Sequence, residues 1–592
     1  MRPAMDKTAF TVCKITKALG IKSWRYTLFM NLTFSRSTFL FLCSLIISLP
    51  AVNGEDLEST LYSTNQLLRV EIRMDKEDWG KLARQGRNIQ EALSDERLAG
   101  KFNKPYTYYP GKVTINSKTF KNVGIRKKGF IGSLDSQRPS LKIKLNYEDK
   151  HQSIGDVTHL TLNNCKQDKS LVNQYLTYTI FRMADAPAPR CTYAHVTVNG
   201  ENLGIYANVE SMKKPMVEHH FASDDGVLYE GTVVDFFSGW EDSFERKFGS
   251  KKKGKAVISG IVDALNESDS KKLLKSVEHN LDLDAFIQFW ATEGIVGLPD
   301  GFSGNANNYF FYIHHDSEKA LFIPWGADYA FTNRSLFFNF RMCNSVRTSS
   351  RLPAKLYGIP SIREKYRKTL IQILDKAWNE EFLAQEIERV EKIFAPHVHQ
   401  RQRNYLYSLN KTRRFIRERR ENIMEEIAEG MPEFRLREKQ PIIFKTVGHI
   451  KGNFSAVYLV KEPQNDDWIG IGAQNLKVDL FDKPLDFEKS GLYVARARGK
   501  GRTTLYMKFS KPNTVRDSLI SFPLSSRYLE NPPDDWFSIT GKFKEIGGFF
   551  LGRKSASFLG EIKINKIEVN DENERIIRGE IDGRFQKMKN GI

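Results

Sequence analysis

The chain has 592 residues, 40% apolar and 27% charged, with a formal net charge of +19. That length exceeds what one ordinary hydrophobic core serves and predicts two to four domains, and the apolar content excludes a disordered chain. Seven basic residues and one acid lie in the first 54 positions, so +13 belongs to the remainder, a charge that suits an anionic partner without selecting one.

The first element is a leader. Residues 38–50 (TFLFLCSLIISLP) form an apolar run too short to span a bilayer, preceded by Arg36 and followed by Ala51, Asn53 and Gly54. This is the order of a secretory signal over 1–54, and it predicts an exported protein. The 35 residues ahead of the run are long for such a leader, and a start at Met30 gives one of ordinary length. The alternative is an uncleaved anchor, in which case the chain stays on a membrane. No other segment is long and apolar enough to span one. Beyond the leader only Cys165, Cys191 and Cys343 remain, too few for a disulfide framework. A Cys165–Cys191 pair is conceivable; isolated buried thiols are the simpler expectation.

Alternation predicts a strand at 67–74, a hairpin of 113–115 and 120–126 around Asn116-Ser117, and a strand at 140–145. The last puts Lys142 and Lys144 on one face and Leu141, Ile143 and Leu145 on the other. Helical spacing over 171–183 ends before Pro187 and Pro189. Two strands at 193–198 and 204–209 flank Asn199-Gly200, a strong hairpin signal. An aromatic helix is expected at 284–297 and paired strands at 309–313 and 321–324. From 362 to 429 the pattern is helical, and 401–420 is densely basic, either a solvated face or a docking face for an acidic partner. Beyond Pro432 and Pro441 the period becomes two, at 456–460, 476–481, 492–497, 503–509, 561–569 and 576–581, with a polar turn at 571–574. That reads as a separate all-β domain, sandwich-like.

The chain has no GxxxxGK[ST], HExxH, CxxC or GxSxG. His219-His220 and His397/His399 lack carboxylates at ligand spacing and read as surface or packed side chains. The informative stretch is Asp300-Gly-Phe-Ser-Gly-Asn305-Ala-Asn307-Asn308-Tyr309, followed by Pro324-Trp325-Gly-Ala-Asp328. Asn305 follows Asp300 by five residues, the Asp-to-Asn spacing of the protein-kinase catalytic loop, and a hairpin then delivers a second acid, Asp328. A carboxylate orients or deprotonates an attacking hydroxyl. Carboxylate and amide oxygens suit Mg²⁺, a hard cation. Lys142 or Lys144 supplies a cation for phosphates, and Gly124-Ile-Arg126-Lys-Lys128-Gly129-Phe-Ile-Gly132-Ser133 is a basic, glycine-punctuated turn suited to covering them.

Over 67–334 the chain resembles the CotH kinase family, the spore-coat H-type atypical protein kinases. The matching stretches are Arg126-Lys-Lys-Gly129, Arg138-Pro-Ser-Leu-Lys142-Ile-Lys144, Leu160-Thr-Leu-Asn-Asn164 with Asp168-Lys-Ser170, and Ala188-Pro-Arg190. They continue through Tyr193 to Gly200, Gly204 to Glu210, Leu228-Tyr-Glu230, Asp300 to Tyr309, and Phe322 to Asp328. Many relatives read RGNSS where this chain reads Lys128-Gly-Phe-Ile-Gly-Ser133, and PWDLD where it reads Pro-Trp-Gly-Ala-Asp328.

The resemblance implies an α+β, two-lobed, atypical protein-kinase-like domain, placed at 55–435, ahead of the all-β accessory domain that the period-two pattern gives at 436–592. It implies ATP with Mg²⁺ or Mn²⁺ as cofactors and a protein Ser/Thr acceptor as substrate. By family match Asp300 is the catalytic acid, Asp328 a metal ligand, and Asn305 or Asn308 a second ligand. Arg126, Lys128, Lys142, Lys144 and Glu210 are then the ATP-binding set, with Glu210 either contacting nucleotide or bracing a lysine. The competing expectations are a non-catalytic surface or envelope protein on a kinase-like scaffold, and transfer of another nucleotide-derived group such as AMP. The β domain offers no catalytic constellation and suits binding to envelope protein or carbohydrate; no nucleic-acid partner is expected.

Overall fold

Alternation along β1 (Leu68–Arg73) puts Leu68, Val70 and Ile72 inside and Arg69, Glu71 and Arg73 outside. The computed structural model describes residues 57–592 except 336–341, 434–435, 437–439, 460–475, 482, 485–489, 497–501, 510–516, 547–554, 570–574 and 590–592. The leader expected at 1–54 and the polar turn at 571–574 lie outside the described residues.

Six more strands follow: β2 (Tyr109–Ile115), β3 (Lys118–Lys128), β4 (Ser140–Lys144), β5 (His159–Asn163), β6 (Cys191–Val198) and β7 (Glu201–Glu210). They close a barrel in the order β1-β2-β3-β4-β5-β7-β6, with β6 parallel to β1 at the seam. Val113, Ile125, Leu141, Ile143 and Leu160 fill its interior. The Asn199-Gly200 turn has φ of 51° and 87°, which suits these two residue types. Asn199 Oδ1 accepts from the Met74 N–H at 3.0 Å and so ties that turn to the end of β1. The alternation of β4 comes out as expected, with Leu141 and Ile143 in the barrel and Lys142 and Lys144 on its outer face.

Beyond the barrel lie α1 (Asn173–Met183), α2 (Lys251–Asn266), α3 (Ser270–Asn280) and α4 (Leu283–Val296). Helix α4 is buried on nearly every side, as a helix apolar all round must be. A one-turn helix α5 (Phe302–Asn305) follows it, then α6 (Arg351–Tyr357), α7 (Pro360–Lys376), α8 (Glu380–Phe394) and α9 (Tyr405–Glu426). The strands β8 (Val227–Gly231), β9 (Glu245–Phe248), β10 (Tyr309–Ile313) and β11 (Ala320–Pro324) make an antiparallel sheet in the order β11-β10-β8-β9. Trp290 of α4 anchors α7 through Tyr366, ring centroids 4.3 Å apart, and its Nε1 donates to the Arg347 carbonyl at 2.7 Å. Cys165, Cys191 and Cys343 are free thiols, the first two buried. No helix of the described residues is long and apolar enough to cross a membrane.

The remaining strands are β12 (Ile443–Leu459), β13 (Lys477–Leu480), β14 (Lys483–Pro484), β15 (Ser490–Arg496), β16 (Arg502–Phe509), β17 (Asp517–Ser525), β18 (Phe537–Ile546), β19 (Ser555–Val569) and β20 (Arg575–Lys589). Among the described residues they form one sheet that closes on itself, in place of the two stacked layers of the expected sandwich. The reason is the length of β12. Its 17 residues run beside β20 along one edge, from Ile443↔Lys589 to Val457↔Ile576, while the other edge serves β13 first and β15 afterwards. Ile450, Leu505, Phe522, Phe558 and Phe585 pack inside. The Phe444 N–H donates to the Leu93 carbonyl at 2.8 Å and Arg584 pairs with Glu96 at 2.8 Å, so this sheet rests on the segment ahead of β2.

Candidate active site

Helix α4 stops at Gly297, whose φ of 60° only a residue without Cβ adopts freely. The chain then turns back through Asp300 into α5. The first N–H groups of that turn, on Phe302 and Ser303, each donate at 2.8 Å to the carboxylate of Glu293 on α4. Glu293 is wholly buried. Burial pushes its carboxyl up to about 7 against the pull of those donors. A Cβ at Gly301 would lie 2.2 Å from Glu293 Oε1, so glycine is required for this close approach.

Three asparagine amides converge on Asp300. Asn305 and Asn307 donate to Oδ1 at 2.8 and 3.1 Å, and Asn308 donates to Oδ2 at 2.9 Å. Burial raises the Asp300 carboxyl while these donors oppose it. Asn307 also accepts from the Val233 N–H at 3.1 Å, which pins the loop to the segment after β8. The β10–β11 hairpin carries the chain away from Asn308 and back, and the Trp325 N–H donates to the Asn308 carbonyl at 3.0 Å. Asn308 then abuts Gly326, where a Cβ would sit 2.5 Å from its Oδ1. Two residues later comes Asp328. Burial pushes its carboxyl up to about 7, the charges of Asp300 and Asp168 add to this, and Lys128 opposes it. Asn173, in the first turn of α1, donates to the carbonyls of Asp328 and Ala330 at 3.3 and 3.1 Å.

Cations from the outer face of the barrel face this region. Lys128, at the end of β3, sits 5.4 Å over the Trp325 ring and donates to Asn163 Oδ1; Asn163 in turn donates to Gln174 Oε1 at 2.6 Å. Burial lowers the Lys128 ammonium to about 8, opposed by Asp328 and Glu230. Lys142 is directly across from Arg126 in the β3–β4 register. Burial lowers it to about 7, and Lys213, Arg126, Lys128 and Lys247 push the same way. Arg126 leans on Tyr108 and Tyr106, 5.3 and 5.9 Å from their centroids. Lys144 lies one pleat further along, 6.0 Å from the Tyr147 centroid. Lys142, Lys213, Arg126, Lys128 and Lys247 crowd enough positive charge here to disfavour one another's protonated forms.

Of the residues singled out in the sequence, the structure brings together Asp300, Asn305, Asn308, Asp328 and Lys128. It sets Lys142 and Arg126 beside them. Glu210 stands apart. It is 3% exposed and accepts from Arg190 at the backbone N–H (2.9 Å), Nε (3.0 Å) and Nη2 (2.5 Å). Its protein partner is therefore an arginine rather than a lysine, because the end of β7 faces the 190 loop. The acid among the lysines is Glu230 of β8, ion-paired to Lys247. Asn163 and Glu230 lie in the family-matching stretches without an assigned role, and Asn173, Gln174, Lys213 and Glu293 are absent from the sequence candidates. One of these carried a signal: Glu293 is an acid inside an otherwise apolar helix, and such a charge needs a partner. The others depend on which loops meet.

The chain matches the family model described as CotH kinase protein over residues 125–428, just over half its length. It is 24% identical over 252 residues to the inner spore coat protein H of Bacillus subtilis (strain 168), covering 40% of this chain and 68% of that protein. Among solved structures it is similar to the Helicobacter pylori proinflammatory kinase CtkA, at 10% identity and a TM-score of 0.25, over 51% of this chain and 91% of that one. With the paired acids, the amide-braced loop and the facing cations inside the matched span, the chain belongs to the CotH kinase protein family.

Proposed function

We propose that this chain is an exported protein kinase that uses ATP with Mg²⁺ or Mn²⁺ to phosphorylate Ser or Thr hydroxyls of a protein. The observation that carries this reading is the pairing of Asp300 and Asp328 at one end of the β10–β11 hairpin, with Lys128 against them. Each acid raises its pKa by burial, and the Asp300 charge works on Asp328, so a divalent cation fits this pair better than the bare acids fit each other. Asp328 would hold the metal, with Asn305 or Asn308 offering an amide oxygen. When bound, such an ion neutralises phosphate charge and screens the two acids.

In this reading the protein's own groups do the rest. Lys128, Lys142 and Arg126 hold the phosphates. Asp300 orients the acceptor hydroxyl and takes its proton as the oxygen–phosphorus bond forms and the bond to the leaving diphosphate breaks. The three amides fix the Asp300 carboxylate so that little reorganisation is needed. The leader and the spore-coat name of the relative both favour export. The closed sheet at 443–589 serves as an accessory module for envelope protein or carbohydrate.

A second reading is a non-catalytic surface protein on the same scaffold. It is favoured by the three amides already on Asp300 and by the glycine and alanine ahead of Asp328. The deciding experiment incubates the purified chain with labelled ATP, Mg²⁺ or Mn²⁺ and an acceptor protein, beside Asp300→Ala and Asp328→Ala. Transfer by the parent and by neither variant supports the kinase; ATP binding without transfer supports the scaffold.

A further inference from the structure

The peptide between Thr232 and Val233 follows β8 and packs on the Asp300 loop, and both of its polar groups are engaged. Its carbonyl accepts from Arg97 Nη2 at 2.7 Å, and its N–H donates to Asn307 Oδ1 at 3.1 Å. Asn307 in turn donates through its amide nitrogen to Asp300 Oδ1 at 3.1 Å. Three hydrogen bonds therefore run in one direction, from a guanidinium through a peptide and a side-chain amide to a carboxylate. Val233 turns the peptide into this line, and its φ of 47° is a strained value for a β-branched residue. The next residue holds it there. The Val234 N–H donates to the Ala306 carbonyl at 2.9 Å, and the Tyr309 hydroxyl donates to the Val234 carbonyl at 2.8 Å.

Arg97 is a costly way to hold one carbonyl. It is 3% exposed, in the short turn Asp95–Ala99. Its Nε and Nη1 have no partner among the described residues, and no carboxylate there pairs with it. The guanidinium lies 5.8 Å from the Trp240 centroid. Burial lowers it to about 10, with the charge of Arg87 adding to this, so it stays a cation at neutral pH. A buried cation without an acid opposes folding, and an apolar side chain would fill the place at less cost. What the cation adds is direction. A charged donor on the carbonyl polarises the peptide and strengthens the N–H at its other end, and aligned hydrogen bonds reinforce one another. The turn that carries Arg97 is itself anchored, since Glu96 pairs with Arg584 and the Leu93 carbonyl accepts from Phe444 of the closed sheet. We propose that Arg97 is a positioning residue for Asp300, acting through the 232–233 peptide and Asn307 to fix the carboxylate and keep it ionised. This inference rests on Asp300 being the acid that takes the proton of the acceptor.

The test is the pH profile of phosphate transfer by the full chain to an acceptor protein, with Arg97→Met, Arg97→Gln and Arg97→Lys. Arg182→Met is the control, because Arg182 donates to the Pro189 carbonyl and lies outside this line. Arg97→Met is expected to lower kcat about tenfold with the KM for ATP unchanged. Its acidic limb should move to higher pH by about half a pH unit, because a carboxylate whose donors weaken holds its proton more tightly. Hydrogen exchange at the Val233 amide should quicken in the same variant. Arg97→Lys keeps a cation for the carbonyl and should restore most of the limb. Arg97→Gln keeps a donor without the charge, and it makes the same comparison if Arg97→Met does not fold by circular dichroism. Arg182→Met should lower stability and leave the limb in place. A parent that transfers no phosphate overturns the kinase reading, and this role with it. An active parent whose folded, neutral Arg97 variants keep both the limb and the Val233 exchange overturns this role alone. So does an Arg182→Met limb that moves as far, since Arg97 would then act only through stability.

Discussion

Asn173 and Asp328 are 155 residues apart, yet the amide of the first donates to the backbone carbonyl of the second at 3.3 Å. The same amide donates to Ala330 at 3.1 Å, while its oxygen accepts from Ser170 at 2.7 Å and Thr412 at 3.1 Å. The loop that presents one acid is therefore held by the start of α1 and by α9.

Asn173→Ala should loosen that loop without touching nucleotide. We expect phosphate transfer to fall about tenfold in kcat with the KM for ATP nearly unchanged, and stability to fall by about 1–2 kcal/mol. Steady-state kinetics and denaturant unfolding check both. An unchanged kcat would remove Asn173 from the machinery.

Glu293→Ala should cost more, because it strips a buried acceptor from two N–H groups and frees the Asp300 loop. A loss of about 3 kcal/mol in denaturant unfolding is expected. Glu293→Gln keeps one acceptor oxygen and should recover part of it. Hydrogen exchange at the Phe302 and Ser303 amides reads the anchor directly and should quicken most in the alanine variant.

Arg190→Ala leaves the buried Glu210 carboxylate without its guanidinium and with only the residue-190 backbone N–H as donor, at a cost of about 3 kcal/mol in stability. The KM for ATP should not move. If KM rises while stability holds, Glu210 serves the nucleotide after all.

Lys142 gives a pH signature. Its folded value is about 7, whereas an unfolded lysine holds its proton to about 10.4. Between those values the unfolded chain binds more protons, so this residue makes stability rise with pH and fall as pH drops toward 7. Lys142→Met should flatten that slope, measured by unfolding at three pH values in the window. A polyphosphate beside Lys142 restores its charge, so ATP binding near pH 8 should take up a proton. Calorimetry in two buffers of different ionisation enthalpy detects that uptake, and Lys142→Met should lose it.

How much of this was legible depends on how local the signal is. The strands of the barrel are readable at β1, β2–β3, β4 and β6–β7, where alternation is clean or Asn116-Ser117 and Asn199-Gly200 mark the turns. The five-residue β5 alternates too, with Leu160 and Leu162 inward and His159, Thr161 and Asn163 on the other face, but two apolar positions make a weak signal. Helix α2 carries a full local signal in Val257, Ile258, Ile261, Val262 and Leu265 after the cap Ser250. The acids were legible because five-residue spacing and a hairpin are local patterns. Their braces were not: Asn173 meets Asp328, and Glu230 joins the lysines, only once distant segments are folded together. The closure of the C-terminal sheet was equally hidden, since alternation reveals strands and says nothing of which edges meet.

That closure has a consequence for how the chain is made. Strand β12 emerges early, yet its long edge is completed by β20, whose pairing begins at Lys589. Until then a 17-residue strand must wait with one side bare while more than a hundred residues are synthesised. Contacts so distant in sequence form slowly, and a waiting edge invites pairing with a neighbouring chain. Yield during expression should therefore hinge on this edge more than on the acids. A helper that shields β12, or a lower synthesis temperature, is expected to rescue soluble protein where substitutions in the 300–308 loop do nothing.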